Sequence, residues 1–509
     1  MSKTAILTLF ALILPRAVLA EDSSGLDVRT TGYFIWDGGY LKEAKLQNGD
    51  NRKSVVFGDL MGGIVLSAHP TERLWLRINP ELKDYYPFPN DEGQDEQSRS
   101  ARWLVYMEEA KAQWAILGDP AKPTLEAELG YMIYKENPDA KIFGDYLFRS
   151  WIYPGILFTK FNYPKAQIFG VRLGHHWNES FNQNLFVTSE TKYYPFFDVS
   201  VAYTADYSYK NLVEVGAGVN FKSLIPVRPS LTTPTEDKSN DNVYKEVPFQ
   251  TVTIPAIGSD PAKTVTIAPL GADSTLLIVQ SGTSPADTTR IKGRGVNGFA
   301  SGALKTDGMD DLTDPSTMHL LPGIQGTETK YSFAGTLFTA RISFNPMNLL
   351  GRENPLGHDA LKAYMETAVL GWKNYPGFYE KRRDRMPIMG GINLPTFNYL
   401  DVLAFEAEYY SSPYFPGTTM RSSYFLPYPG ITSKYNTVWG DPTKVGSVSK
   451  RDDWKWGVTA KKSFKGITLV AQVGTDHTKM MNSGGNEYYD ILQNPKEWYF
   501  QFRFIGGVY

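Results

Sequence analysis

The end of the chain alternates strictly between aromatic and polar residues, and this pattern constrains the fold more than any other. In an extended strand, Phe500, Phe502 and Phe504 fall on one face, while Gln501 and Arg503 fall on the other. Successive side chains of a strand point to opposite faces, so this strand has one large apolar face and one polar face. The same alternation recurs in many earlier segments. The sequence therefore predicts an all-β protein whose wall separates an apolar from an aqueous environment.

An N-terminal leader indicates where such a wall would reside. Residues 1–20 combine Lys3, an apolar stretch from Ala5 to Leu14 and small residues ending at Ala20, a pattern typical of a signal peptide. Beyond the leader we find no run of about 20 apolar residues, as a helical membrane protein would need. The chain has no cysteine, which fits a protein that crosses the periplasm unfolded. We predict a transmembrane antiparallel β-barrel over residues 21–509, with a secreted soluble all-β protein as the alternative.

The alternating segments predict about 18 strands, with 16 as the alternative, and long extracellular loops. The higher number includes a strand at 156–161 and an extra strand between residues 244 and 279. Residues 222–330 are rich in Thr, Ser, Pro, Asp and Gly, so we expect a long extracellular insertion there. Glu108 interrupts the apolar face of its strand, which predicts either a bulge or contact with a neighbouring subunit.

Charged residues opposite the apolar faces are predicted to line the lumen. Acidic and basic residues are equally numerous among them, so we expect no strong ion preference. A simpler alternative is that these charges only solvate the inner wall. The acidic set is Glu109, Glu126, Glu128, Asp198, Asp206, Glu214, Glu366, Glu406 and Glu408, and the basic set is Arg73, Arg77, Lys111, Arg172, Arg341, Lys362, Lys455, Lys461 and Arg503.

Residues 137–149 are the candidate constriction. Asn137 followed by Pro138 is typical of a helix N-terminus, so a short helix is predicted through Arg149. Asp145 and Arg149 would then lie four residues apart on one helix face and narrow the lumen. An ordinary rim loop, packed by its own aromatic residues, is the competing interpretation.

The sequence offers little for catalysis or cofactor binding. Glu406 and Glu408 have the spacing of an acid and base pair on one strand, but most such pairs are solvated wall residues. His175 and His176 are adjacent and would point to opposite faces, so we predict no metal site and no cofactor. The formal net charge of −2 excludes a polybasic nucleic-acid surface. Glycine pairs such as 62–63 and 390–391 are interpreted as strand kinks that let a barrel curve.

Taken together, the leader, the two-faced strands and the aromatic last strand ending at Tyr509 resemble Gram-negative outer-membrane porins. The likeness is one of architecture over residues 21–509, without a motif of one subfamily. It implies a non-enzymatic channel in the outer membrane for passive diffusion of small hydrophilic solutes, with oligosaccharides as one class. The implied partners are outer-membrane lipid and the barrel-insertion machinery that recognises the last strand, and a homo-oligomer is left open. The alternative function is a barrel-anchored surface-binding or adhesion protein that uses residues 222–330.

Overall fold

The structure is a computed structural model. It describes residues 27–45, 51–86, 103–148, 166–191, 197–227, 243–246, 250–254, 262–270, 274–281, 285–292, 327–330, 334–350, 355–357, 359–372, 382–409, 454–475 and 498–508.

All extended elements of these residues are antiparallel strands. In chain order they are β1 (Asp27–Lys45), β2 (Asn51–Thr71), β3 (Leu74–Tyr86), β4 (Trp103–Asp119), β5 (Lys122–Tyr134), β6 (Ala166–Asn178), β7 (Phe181–Ser189), β8 (Val199–Tyr209), β9 (Val213–Ile225), β10 (Val243–Glu246), β11 (Gln250–Ile254), β12 (Lys263–Leu270), β13 (Ser274–Ser281), β14 (Asp287–Lys292), β15 (Thr327–Lys330), β16 (Gly335–Phe344), β17 (Ala363–Val369), β18 (Ile388–Asn393), β19 (Val402–Tyr409), β20 (Trp454–Phe464), β21 (Ile467–Thr475) and β22 (Trp498–Val508).

Sixteen of these strands form one closed antiparallel barrel in the order β1 to β9 followed by β16 to β22. Most neighbours in the barrel are also neighbours along the chain, and β9 pairs with β16 across the intervening residues. The last strand closes the ring because β22 pairs with both β1 and β21. Closure satisfies every strand edge, which a wall in lipid requires.

The expected all-β transmembrane barrel is therefore confirmed, with the alternative number of 16 strands. The estimate of about 18 is wrong for the described residues because the strand expected between 244 and 279 does not enter the barrel. The β-prone residues there belong to a separate four-stranded sheet, β11 to β14. The other extra strand, at 156–161, lies outside the described residues. Local alternation identifies a strand but does not say which sheet the strand joins.

The two faces of the barrel wall differ sharply. On β22, outward-facing Phe500 is 44% exposed, whereas inward-facing Gln501 and Arg503 are 0% and 7% exposed. The apolar outer surface continues across the closure, where the rings of Trp36 and Phe502 lie 6.3 Å apart. A continuous belt of exposed apolar side chains around a closed barrel is stable in lipid and not in water. The barrel is membrane-embedded, and the predicted facing of the last strand is confirmed.

Glu108 lies at a β-bulge, as one of the two predictions stated. The pairing of β3 with β4 shifts from Asn79 opposite Glu109 to Pro80 opposite Met107, so Glu108 is the extra residue of the bulge. Its carboxylate accepts a hydrogen bond from the Gln167 side chain (2.9 Å). The extra residue thus restores the alternation of β4 on both sides of the bulge.

The strands within residues 222–330 form two sheets of their own. β10 pairs with β15, and β11 to β14 form the four-stranded sheet. Among the described residues, none of these six strands pairs with a barrel strand. β9 continues to Ile225, slightly beyond the predicted start of the insertion. The extracellular position of the insertion stays a prediction.

No helix among the described residues is long and apolar enough to cross a membrane.

Candidate functional site inside the barrel

Residues 135–148 follow β5 and lie inside the barrel; we call them the inner segment. Phe143 and Leu147 of this segment are buried in one apolar cluster with Tyr364 of β17 and Met389 of β18. Both strand residues belong to the inward face of the wall, since their neighbours along each strand are the exposed apolar residues. The segment therefore packs on the inner wall and not on the rim.

The helix expected from Asn137 is wrong for the described residues, where the inner segment forms only turns and bends. Gly144 and Asp145 have φ angles of 87° and 59°. These left-handed conformations end any right-handed helix. A side chain at Gly144 would place its Cβ 2.6 Å from the carboxylate of Glu366, so only glycine fits that approach. Arg149 lies outside the described residues.

Glu366 on β17 is the first anchor of the inner segment. Its Oε2 accepts hydrogen bonds from the Asn137 side-chain amide (2.7 Å) and the Asp145 backbone N–H (2.9 Å). Its Oε1 accepts the backbone N–H of Tyr146 (3.0 Å). Asp145 in turn accepts the backbone N–H of Asn137 (2.6 Å). Donors that a helix would have used internally are thus bonded to a carboxylate of the wall.

Glu406 on β19 is the second anchor. It accepts the consecutive backbone N–H groups of Lys141 (2.6 Å), Ile142 (2.6 Å) and Phe143 (3.1 Å). The hydroxyl of Tyr364 donates a fourth hydrogen bond (2.7 Å). An ionised carboxylate has about four acceptor sites, so these donors satisfy Glu406 completely. Hydrogen bonds to a charged acceptor are about twice as strong as neutral ones, and here they are shielded from water.

One further hydrogen bond and one ion pair add to this attachment. Glu408 accepts the hydroxyl of Tyr146 (2.6 Å) and pairs with Lys455 of β20 (3.1 Å). Asp139 of the inner segment pairs with Lys362, just before β17 (2.7 Å). Glu408 and its neighbour Glu406 are each 0% exposed. Their partners make them structural anchors, and neither is placed to meet a substrate as an acid or base.

Aromatic packing covers the other side of the inner segment. The ring of Phe148 lies 5.5 Å from that of Tyr134 on β5 and 4.9 Å from that of Phe186 on β7. Met132 and Ile168 belong to the buried apolar cluster beneath these rings. The segment thus contacts the wall on both the β5 to β7 side and the β17 to β20 side.

The position of Glu406 depends on a tyrosine that lies over a glycine. Tyr364, Gly391 and Glu406 are directly opposite one another on β17, β18 and β19. A Cβ on Gly391 would overlap the Tyr364 ring, so the missing side chain lets the ring cross the strand and donate to Glu406. Glycine here accommodates an aromatic ring, which differs from the kink expected for the pair at 390–391.

The same row of tyrosine, glycine and glutamate on three adjacent strands occurs a second time near the closure of the barrel. Tyr33, Gly63 and Glu81 are directly opposite one another on β1, β2 and β3. The Tyr33 ring occupies the space above Gly63, and its hydroxyl donates to Glu81 (2.8 Å).

The wall from β3 to β6 carries a ladder of alternating charges. Lys111 bridges Glu109 (2.8 Å) and Glu128 (3.1 Å), and Arg172 bonds Glu128 (3.0 Å). Arg77 is the most exposed member, with 48% of its side chain accessible. In order across the wall the ladder consists of Arg77, Glu109, Lys111, Glu128, Arg172 and Glu126. These charges neutralise one another within the wall.

The remaining predicted lumen residues have different surroundings in the structure. Arg341 pairs with Asp206 (2.6 Å), and Arg503 forms two 2.6 Å bonds with Asp37. Glu214 lies 4.0 Å from Lys362, and Lys461 shares a face of β20 with Lys455. Asp198 is buried just before β8 and accepts the Val227 N–H (3.2 Å). The placement of Arg73 on a lumenal strand face is wrong: it lies in the turn before β3 and donates to the Ala115 and Gly118 carbonyls.

Sequence reasoning missed several residues of this site. Asp37 was missed, although alternation along β1 places it on the inward face, between outward-facing Trp36 and the next residue. Glu136 was missed, and the contacts of Asn137, Asp139 and Tyr364 were not foreseen, because these residues act through contacts with residues far along the chain, for which local pattern contains no signal. The inner segment is nevertheless unusual in sequence, because three acidic residues fall among apolar and aromatic ones.

Among the described residues, no group of three or more His, Cys, Asp or Glu side chains is placed to hold a metal ion. His175 contacts Gln183 (3.1 Å) and His176 contacts Asn182 (2.6 Å).

No protein-family model and no curated protein matches this sequence. Similar solved structures include OprB of Pseudomonas putida, 8% identical with a TM-score of 0.43, where the match covers 94% of each chain. A variant of Rh. blastica porin is 7% identical with a TM-score of 0.39, where the match covers 95% of this chain and all of the porin. At these identities the likeness concerns the fold alone.

Proposed function

We propose that this protein is an outer-membrane channel of Gram-negative bacteria for passive diffusion of small hydrophilic solutes, and that the inner segment sets the width of its passage. The observation that carries this proposal is the attachment of the segment to inward-facing Glu366 and Glu406 through six hydrogen bonds from the segment itself. Barrels of 16 strands are wide enough to enclose an aqueous passage. A segment that is fixed inside such a barrel narrows the passage to a constant width.

The charges of the wall favour small solutes of either sign. Acidic and basic side chains are joined in pairs and ladders, so the passage offers neither a cation-selective nor an anion-selective ring. Stacking on sugar rings by Trp75, Tyr134 or Tyr364 has little support. Tyr364 is buried, and the ring of Tyr134 packs against Phe148 of the inner segment and Phe186 of β7, although Trp75 is partly accessible. Oligosaccharides are therefore the less favoured class of solute.

Conductance tests the proposal directly. Purified protein in a planar bilayer is expected to produce stepwise current increments with weak selectivity between small cations and anions. The six-residue charge ladder should matter little to the size of the steps, whereas the inner segment should limit it. A bilayer that stays electrically silent with correctly folded protein would refute the channel.

A second function is favoured by one observation, the separate sheets within residues 222–330. In the β11 to β14 sheet, Thr251 and Thr253 are exposed and the hydroxyl groups of Thr251 and Thr266 lie 3.0 Å apart. A surface-binding protein anchored by its barrel would use such a sheet. Removal of residues 243–330 would then abolish attachment to cells or polymers, whereas a channel would keep its conductance.

A further inference from the structure

Among the three acidic residues of the inner segment, Glu136 is the one that forms no ion pair within the described part of the chain, whereas Asp139 pairs with Lys362 and Asp145 with Lys135. Glu136 is buried, and its Oε1 accepts a hydrogen bond from the Thr339 hydroxyl of β16 (2.6 Å). Its Oε2 is also buried and has no hydrogen-bond partner among the described residues. A buried ionised carboxylate normally uses both oxygens, because an unpaired charge in the interior is costly.

The groups around Glu136 make a negative charge there still less favourable. Glu366 of β17 and Asp145 of the inner segment are close enough to repel it. Glu366 accepts hydrogen bonds on both of its oxygens, and Asp145 pairs with Lys135 (3.3 Å). Tyr134 at the end of β5 also lies close to Glu136. Arg341 of β16 is a cation that attracts Glu136, but it is bonded to Asp206 of β8 (2.6 Å).

Burial, followed by repulsion from Glu366, raises the pKa of Glu136 well above the usual range of a glutamate. The raised pKa agrees with the unpaired Oε2 atom, because a proton on the carboxyl group would remove the negative charge from this buried position.

We propose that Glu136 carries a proton while the inner segment is attached to the wall, and that loss of this proton releases the segment. The direction with pH follows from linkage. A carboxyl group whose pKa is raised in the attached state stabilises that state at low pH, and the stabilisation is lost as pH rises through the raised pKa. The segment is therefore a latch that opens towards alkaline pH.

The latch rests on the proposed function in one respect, since a wider passage at alkaline pH presupposes a channel. Attachment of the inner segment to the wall does not require a channel, so we measure the attachment by a method other than conductance. Ala140 is a buried residue of the inner segment, and the chain has no native cysteine. Ala140→Cys in native membranes should react slowly with a water-soluble thiol reagent while the segment is attached and faster once it is released.

The decisive comparison is the rate for Ala140→Cys divided by the rate for Ala140→Cys with Glu136→Gln, measured from pH 5 to pH 9. Glutamine imitates the protonated carboxyl group, and dividing the two rates cancels the ionisation of the thiol itself. The ratio should stay near one at low pH and then rise by up to about tenfold per pH unit, the limit for release of one proton.

Asp139→Asn is the matched control. Asp139 is also a buried acid of the inner segment with an unpaired oxygen, but its other oxygen pairs with Lys362. This variant should label faster at every pH while keeping the pH dependence. A ratio that is constant across the pH range would overturn the latch. So would a Glu136→Gln variant whose labelling rate rises with pH more steeply than ionisation of the thiol alone explains. A silent bilayer together with the expected labelling would refute the channel and leave the latch standing.

Discussion

Two parts of the inner wall solve the same problem in different ways. Both carry buried carboxylates that face a lumen, and each carboxylate needs compensation. From β3 to β6 the compensation comes from lysine and arginine side chains of the wall, as in the bonds of Lys111 and Arg172 to Glu128. On β17 and β19 it comes chiefly from backbone N–H groups of the inner segment.

This difference means that one part of the wall stabilises the barrel, whereas the other part holds the segment that narrows the passage. The charge ladder is complete without any other segment, so it stiffens the wall and leaves the lumen clear. The carboxylates of Glu366 and Glu406 have all of their hydrogen-bond donors only when the inner segment is present. Carboxylates without cationic partners on the wall therefore select the place where a segment attaches.

The largest expected effect comes from removing the charge of the two anchors. Glu366→Gln with Glu406→Gln replaces acceptor oxygens by amide groups that face N–H donors, and each lost bond to a charged acceptor costs about 1.5 to 3 kcal/mol. The inner segment should detach while the barrel stays folded. Single-channel conductance is expected to increase.

The matched variant is Glu126→Gln with Glu128→Gln on the ladder. It should lower the stability of the barrel and leave conductance nearly unchanged. If both double variants widened the passage equally, the distinction between the two walls would be wrong.

An intermediate effect is expected from Arg172→Ala. Arg172 is the cation between Glu126 and Glu128, so its loss leaves two buried carboxylates. Glu128 keeps Lys111, whereas Glu126 keeps the side-chain amide of Gln113 and nearby His176. Breaking such a pair should lower the free energy of unfolding by about 3 kcal/mol, measured by urea titration in detergent or lipid. Thiol labelling at residue 140 should not change, because the ladder does not touch the inner segment.

The smallest effect tests the two tyrosine rows against each other. Gly391→Ala and Gly63→Ala each place a methyl group in the space of a tyrosine ring, and such overpacking costs about 1 to 3 kcal/mol. Only Gly391→Ala should also loosen the inner segment, because Tyr364 contacts Glu406, which holds it. Equal labelling at residue 140 in the two variants would show that Tyr364 does not position Glu406.

The wall of this protein was largely predictable from sequence, and the attachment of the inner segment was not. Alternation determines which residues of a strand face inward, so Gln501, Arg503 and Glu406 were assigned to the correct face. The bulge at Glu108 was predictable for the same reason, because one charged residue interrupted an apolar face. In each case the signal lies within a few residues of the feature.

The failures arise where distant contacts override local preference. Asn137 and Pro138 are good residues for a helix N-terminus, yet the Asn137 side chain donates to Glu366, 229 positions away. The consecutive N–H groups at 141–143 donate to Glu406, so they do not form the hydrogen bonds of a helix. The strand number failed similarly, because sheet membership of β11 to β14 depends on pairing partners and not on alternation.

The central claim, that the inner segment is attached to the inside of the wall, is tested most directly by a cysteine pair. The Ile142 side chain lies where a side chain at Gly457 of β20 would be. Ile142→Cys with Gly457→Cys should therefore form a disulfide under mild oxidation in native membranes, visible as a shift in electrophoretic mobility that reductant reverses. Ile142→Cys with Arg77→Cys, which places the second thiol on the charge ladder, should not. Absence of the first disulfide in folded protein, or equal formation of both, would contradict the account.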